Sequence, residues 1–447
     1  MSECEQVLNR AEVMQKLMFN VVFDSHGNEK NRKILQTVKN HEIVFNHDLR
    51  FAGKVKFDEF AQQVVLSGSV PWEPKNICRA WGSFDDSSAF SIIQSDYGLC
   101  KRQDFFDAVR NVSMKNRFHP VRDMLDALIW DNRENIRGLL VDYLGSEDSE
   151  YNYQAMRLCM VGTVARVYEP GIKNDNTPIL VGPQGVGKST FLRSMAMRDS
   201  WFCDSLDSLD NDKAVQTLLG SWIIELAELK SLTRTAGGTD SIKRFLSAQQ
   251  DKIRLPYERR SETFLRQCTF WGTTNKSDFL DDETGNRRFL IIQTGVNKPR
   301  KDLFAPEAME DIKAAWAQAV HIWKTERPAL VLPEEFRQEA EQMQEASTTD
   351  DGTFGLIQEY LEDKQRVCAL EIWQETLGEI GRPPKWKATQ INNFISQIPG
   401  WRKMKSPGRF GKFGQQRGFE FVSNSGDDSN DFVAISGKSG LNDLPFK

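Results

Sequence analysis

No stretch of about 18 consecutive apolar residues occurs in this sequence, and a bilayer-spanning helix needs roughly that many. The polar start MSECEQVLNRAEVMQK has no apolar centre, so no secretory leader is expected either. Histidine is scarce, at five. The seven cysteines (Cys4, Cys78, Cys100, Cys159, Cys203, Cys268 and Cys368) are scattered and never form C-x-x-C. No zinc site is expected from that spacing, and reduced thiols in a cytoplasmic setting are. Internal repeats are missing. Positive charge is not in excess: 58 Lys and Arg face 63 Asp and Glu, for a net −5. Binding to nucleic acid would therefore have to come from local basic patches. What remains is ordinary globular material, 39% hydrophobic and 27% charged over 447 residues, enough for roughly two to four domains.

Composition divides the chain further. Residues 1–148 are mixed, with helical periodicity in RDMLDALIWDNRENIRGLLVDYLG, and are expected to form a mainly helical N-terminal domain. Over 149–330, short β-rich runs (TPILVG, SWIIEL, CTFWGTTN, RRFLIIQ) alternate with helical segments, which predicts an α/β core around a parallel sheet. A linker at 331–351, holding an extended piece and a charged helix, leads to a compact basic unit at 352–423. The tail, 424–447, is rich in Gly, Ser and Asp and reads as disordered.

GPQGVGKST, residues 182 to 190, fits G-x-x-x-x-G-K-[ST], a loop whose backbone N–H groups cradle nucleotide phosphates. It follows an apolar strand candidate and precedes a helix candidate, and a helix N-terminus favours phosphate. Gly182, Gly185, Gly187, Lys188, Ser189 and Thr190 are the expected binding residues for ATP and Mg²⁺. Lys188 would reach the β- and γ-phosphates, and Ser189 would hold the metal. SWIIELAEL supplies Glu225 and Glu228 as a strand emerges. One would support Mg²⁺, to which Glu225 is assigned, and the other would polarise the attacking water. Asn275-Lys276-Ser277-Asp278 imitates the guanine-reading N-K-x-D of GTPases. However, no Asp from 191 to 274 has Gly three residues later, so the γ-phosphate sensor of a GTPase is missing. Asn275, with Thr274 second, is instead the expected γ-phosphate sensor. Arg287 and Arg288 in GNRRF look presented outward, as a residue reaching a neighbouring subunit's γ-phosphate would be.

FHPVRDML, IWDN, YEPGIKND, GPQGVGKST, WIIELAEL, IKRFLS, DKIRLPYERR and GTTNKSDFLDDETGNRRF occur together and in order. That set resembles the virulence-associated protein E family of phages, prophages and pathogenicity islands, related to superfamily 3 and other primase-associated helicases. The resemblance, over roughly residues 30 to 300, implies an AAA+-type P-loop ATPase assembled as a hexameric ring and acting on single- and double-stranded DNA during mobile-element replication in a bacterial host's cytoplasm. It also implies that DKIRLPYERRSETFLRQ is a pore-lining hairpin whose Arg259 and Arg260 touch DNA, with Lys252, Arg254 and Arg266 nearby. Arg254 or Lys243 serving the ATP site across a subunit interface is the alternative for those residues. No primase chemistry is assigned to residues 1–148.

From Arg382 to Phe419 there are nine Lys or Arg and no Asp or Glu, with Trp386, Trp401, Phe410 and Phe413 interleaved. Two helical stretches followed by a Gly-rich basic hairpin give the order of a winged helix. Lys403, Lys405, Arg409 and Lys412 would meet DNA phosphates there. The tail's Asp-Leu-Pro-Phe-Lys end is similar to that of bacterial single-stranded-DNA-binding proteins, which implies docking to host replication proteins. The expected function is an oligomeric DNA motor, a helicase or translocase. A loader with a switch ATPase and a GTPase-type switch stand as alternatives.

Overall fold

The computed structural model describes residues 7–206, 212–227, 239–254, 260–275, 286–347 and 353–422. The chain divides into two compact units, Met1–Thr349 and Asp350–Lys447. The first unit opens with α1 (Arg10–Lys16), the hairpin β1 (Phe19–Phe23) and β2 (Glu29–Ile34), and α2 (Val38–His47). Then come β3 (Val55–Asp58), β4 (Gln63–Val70), β5 (Glu73–Ala80), α3 (Ser83–Tyr97), α4 (Arg102–Lys115), β6 (Arg117–Phe118), α5 (Pro120–Asp126) and α6 (Ile136–Leu144). In α4, Phe105, Ala108, Val109 and Val112 are buried. Their spacing of three and four residues puts them on one helical face, against Val44 and Phe45 of α2.

The region expected to be mainly helical thus also holds a four-stranded sheet ordered β5-β4-β3-β6 and a two-stranded one. These strands escape sequence patterning because β5 is an edge strand with most of its residues exposed, so no apolar alternation marks it. Nor does the core stop at 148. Val121, Leu125, Ile136, Leu139 and Leu140 are buried in one cluster with Ala155, Met156 and Met160 of α7 (Glu150–Tyr168).

A partly buried ion cluster centred on the buried Asp48 fastens the N-terminal part. Asp48, at the end of α2, receives Arg50 at 2.6 Å and the Tyr97 hydroxyl at 2.7 Å, while Arg50 also reaches Asp96 at 2.7 Å. Burial works to raise the Asp48 carboxyl, but the hydrogen bonds from Arg50 and Tyr97 outweigh it and hold it below its ordinary value. Asp48→Asn is therefore expected to weaken local stability by roughly 3 kcal/mol, read as reduced hydrogen-exchange protection in α2 and α3 at neutral pH. A carboxylate with a lowered folded value stabilises fully above its unfolded value near 4 and loses that contribution as pH falls through the folded one. The gap between variant and parent should accordingly close in acid.

The centre of the unit is a five-stranded parallel sheet. Its strands are β7 (Thr177–Val181), β8 (Phe202–Cys203), β9 (Ile223–Ala227), β12 (Thr269–Thr274) and β13 (Phe289–Gln293), in the order β13-β7-β12-β9-β8. Between β9 and β12 in the chain stands the antiparallel pair β10 (Gln250–Ile253) and β11 (Glu262–Leu265). Both faces of the sheet are covered, so its strands are buried along most of their length and mainly apolar. Leu180, Ile223, Trp271 and Leu290 share a core with α7, α8 (Lys188–Met195) and the helix Pro306–Glu326. Ile179, Ile224, Phe270 and Ile291 share another with α9 (Asp212–Leu218) and the helix Thr239–Ser247. The stretch expected to be a linker carries the helix Arg337–Ala346, tied to β13 by Gln344 Nε2 donating to the Phe289 carbonyl at 2.8 Å.

The second unit runs through the helix Thr353–Leu361, β14 (Arg366–Cys368), a short helical turn from Ala369, the helix Lys385–Gln397, β15 (Trp401–Lys403), β16 (Gly408–Arg409), β17 (Gln415–Gln416) and β18 (Gly418–Phe421). Its antiparallel sheet is ordered β14-β18-β15, and β16 pairs with β17 in a hairpin between β15 and β18 in the chain. Ile357, Val367, Ile372, Ile391, Ile395, Trp401 and Phe419 form the core. The tail expected to be disordered, and the partner-docking sequence in it, lie outside the described residues. No helix among the described residues is long and apolar enough to cross a membrane.

Candidate functional site

β7 is buried along its whole length and delivers residues 182–187 to the carboxyl edge of the sheet, where open α/β sheets bind ligands. Gly185 and Gly187 have φ of 86° and 93°, values that suit glycine. A Cβ on Gly182 would run into the carbonyl and hydroxyl of Thr294, so only glycine lets the loop lie this close to the residue after β13. From Gly187 the chain turns directly into α8, whose first residues are Lys188, Ser189 and Thr190.

Lys188 is 7% exposed and folds back over the loop. Its Nζ donates to the carbonyls of Gly182 at 2.7 Å and Pro183 at 2.9 Å and to Asn275 Oδ1 at 2.9 Å. Burial lowers its pKa, with the Glu225 carboxylate acting the other way. Ser189 Oγ donates to Glu225 Oε1 at 2.6 Å, and Thr273 Oγ1 donates to the same oxygen. Glu225 is 3% exposed, so its charge sits in a confined polar pocket between α8 and β12. A hydroxyl paired with one carboxylate beside a glycine loop at a helix start fits Mg²⁺, which is usually held by one or two carboxylates plus substrate phosphates.

Lys188, Ser189, Glu225 and Asn275 thus meet at one edge, from residues up to 87 positions apart in sequence. Glu228 lies outside the described residues. Thr273 is a participant that motif reading misses, with its neighbour Thr274 standing second for the sensor. Strand alternation was the available signal: residues 273 and 275 share a face, and 274 does not.

Arg287 and Arg288 are elsewhere. They precede β13, which pairs in parallel with β7 so that Phe289 faces Thr177. That is the amino edge of the sheet, about 17 Å from the loop for five strand residues. Neither side chain spans that distance to its own loop. They also differ from each other. Arg288 Nε donates to Ser247 Oγ at 2.7 Å and lies 3.6 Å from Asp175, whereas Arg287 is exposed. Lys243 is buried on the helix Thr239–Ser247, where it lines a recess with Arg244, Ser247 and Arg288.

The expected hairpin exists as β10 and β11, with Lys252, Arg254 and Arg260 exposed. Arg259 lies outside the described residues. Arg266 is not part of a DNA-facing set. It is 3% exposed, holds Asp251 with two bonds of 2.6 and 2.8 Å and donates to the Phe245 carbonyl, which fastens the hairpin base to the neighbouring helix. In the second unit Lys403, Lys405 and Arg409 are exposed. Lys412 is also exposed but pairs with Glu375 at 3.0 Å. Trp401 and Phe410, interleaved with these cations, are buried at 6% exposure and belong to the fold rather than to a surface.

The profile of the virulence-associated protein E-like domain matches residues 125–349, just over half of the chain, and takes in the loop, the sheet and the hairpin. The chain belongs to that family. No curated protein matches it. Among solved structures, it aligns with the apo structure of the NrS-1 C-terminal region at 14% identity and a TM-score of 0.39, over 83% of this chain and 96% of that one. A second apo form of the same region gives 14% identity and a TM-score of 0.36 over the same shares.

Proposed function

We propose that the chain is an ATP-hydrolysing DNA motor, built on an AAA+-type P-loop core, that works as a ring in replicating a phage or mobile element. The observation that carries this is the convergence of Lys188, Ser189, Glu225 and Asn275 at the carboxyl edge of the parallel sheet. Lys188 exchanges the loop carbonyls for phosphate oxygens, and the loop's N–H groups bind the rest of the phosphate chain. Ser189 and Glu225 would hold Mg²⁺, which when bound neutralises charge on the β- and γ-phosphates. Asn275, at the tip of β12, orients the attacking water and senses the γ-phosphate. Glu228, which follows β9 in sequence, is the proposed water-polarising base.

The same geometry disfavours a GTPase. Asn275 bonds to Lys188 on the γ-phosphate side, whereas a guanine reader belongs at the base end. Arg287, exposed at the opposite edge of the sheet, is the residue proposed to act in the neighbouring subunit's site, giving a head-to-tail ring. The order helix, strand, helix, helix, strand, hairpin, strand in the second unit supports a winged helix whose Lys403, Lys405 and Arg409 contact phosphates and position DNA without reading its sequence.

Strand displacement on a forked duplex tests the motor. ATP-dependent displacement that Glu225→Gln abolishes is expected. Hydrolysis without displacement on forks of either polarity would leave a loader in its place. The triple change Lys403→Ala, Lys405→Ala, Arg409→Ala is expected to flatten the salt dependence of duplex binding, by about 0.9 in log–log slope for every phosphate no longer neutralised. Lys412→Ala, already neutralised by Glu375, should change it less. An unaltered slope in the triple variant would remove the hairpin as a DNA-binding element.

A further inference from the structure

A bound nucleotide's base must also have a place, and one flank of the loop is suited to it. Ser189, Glu225 and Asn275 set the γ-phosphate end of the site on the β9 and β12 side of the loop. A triphosphate running along the loop must then leave on the other side, where β13 and the segment after it stand. That segment wraps the loop. A Cβ on Gly295 would sit 2.9 Å from Val186 and 3.1 Å from Pro183, and Leu303 lies 3.6 Å from the Cβ position of Gly187. The residues next to these contacts, Val296 and Phe304, are large, apolar and exposed, at 53% and 81%. Scattered exposed hydrophobics need no explanation, but these two directly follow residues that touch the loop on the side where a base would emerge.

Several backbone N–H groups that could read a base edge are already used there. The backbone N–H of Gly295 is bonded to the Leu144 carbonyl at 2.7 Å and that of Asn297 to Gly145 at 2.8 Å. Those of Arg300 and Lys301 go to Asp142, and that of Phe304 goes to the Asp302 side chain at 2.9 Å.

We propose that the base of a bound nucleoside triphosphate stacks on Phe304 beside Val296, held by its face rather than its edge, so that the site takes purine and pyrimidine triphosphates alike. This rests on the nucleotide-site reading above. The test is equilibrium binding of ATP, GTP, CTP and inorganic tripolyphosphate to the full chain and to Phe304→Ala and Phe304→Tyr. Phe304 is exposed, so neither change threatens folding. Phe304→Ala should weaken every nucleotide by roughly 5- to 150-fold, the range for removing one base–aromatic stack, and leave tripolyphosphate unchanged, while Phe304→Tyr should bind as the parent does. Unchanged ATP affinity in Phe304→Ala overturns the stacking site alone. A parent preference for ATP over CTP beyond about 100-fold overturns the claim that the edge is unread, since stacking is tolerant of base identity. A parent that binds neither ATP nor tripolyphosphate overturns the nucleotide site and this inference with it.

Discussion

Lys188→Ala is expected to abolish measurable nucleotide binding and to lower hydrolysis by roughly 10³ or more, the scale of losing a preorganised charge donor from a confined site. The ammonium is buried and already satisfied by three oxygens, two of them carbonyls of the loop itself. In the proposed site it is therefore held where phosphates would arrive and need not be ordered at the moment of binding. Glu225→Gln should behave differently. The amide keeps the shape and can still accept from Ser189 and Thr273, so nucleotide binding without Mg²⁺ should persist while Mg²⁺-dependent hydrolysis fails. Equilibrium binding with and without Mg²⁺, beside a phosphate-release assay, separates the two. Normal turnover in both variants would dismiss the site.

Arg287→Ala is expected to reduce ATPase activity by about 10³-fold or more, within the range known for arginines that stabilise phosphoryl transfer from a neighbouring subunit. Its binding of nucleotide should be intact, because the residue stands at the far edge of its own sheet. Mixing Arg287→Ala subunits with Lys188→Ala subunits should then recover activity. In a one-to-one random ring, about a quarter of head-to-tail interfaces would pair an intact lysine with an intact arginine, so recovery should approach a quarter of the parent rate. Arg288→Ala should instead reduce stability by removing the side chain that holds Asp175 and Ser247, and mixing should not rescue it. Rings that form but show no recovery with Arg287→Ala would dismiss the interfacial role.

The loop at 182–190 was legible in the sequence because its physics is local: glycines for the turn, then a lysine and a hydroxyl at a helix start. Glu225 and Asn275 were legible as polar residues where apolar strands end. Pairings were not. Arg266 reads as a cation beside a basic hairpin and Arg288 as an arginine presented outward, yet their partners lie 15 and 41 residues away, and nothing near either arginine announces them. Trp401 and Phe410 show the converse ambiguity. An aromatic between lysines has the same local pattern whether it stacks outward or fills a core. The N-terminal sheet went unseen because its edge strand faces water along most of its length.

β12 has a mechanical consequence. Its six residues are all buried, and hydrogen bonds to β7 and β9 clamp it on both sides. One end leads into Asn275, against Lys188. The other continues through Cys268, whose carbonyl is gripped by the buried Arg166 at 2.7 Å, into Arg266 and the base of the β10–β11 hairpin. A strand so held neither stretches nor buckles. Over its roughly 20 Å length, a pull on the hairpin base is shared through both ladders with β7 and β9, so the sheet moves as one body rather than β12 alone.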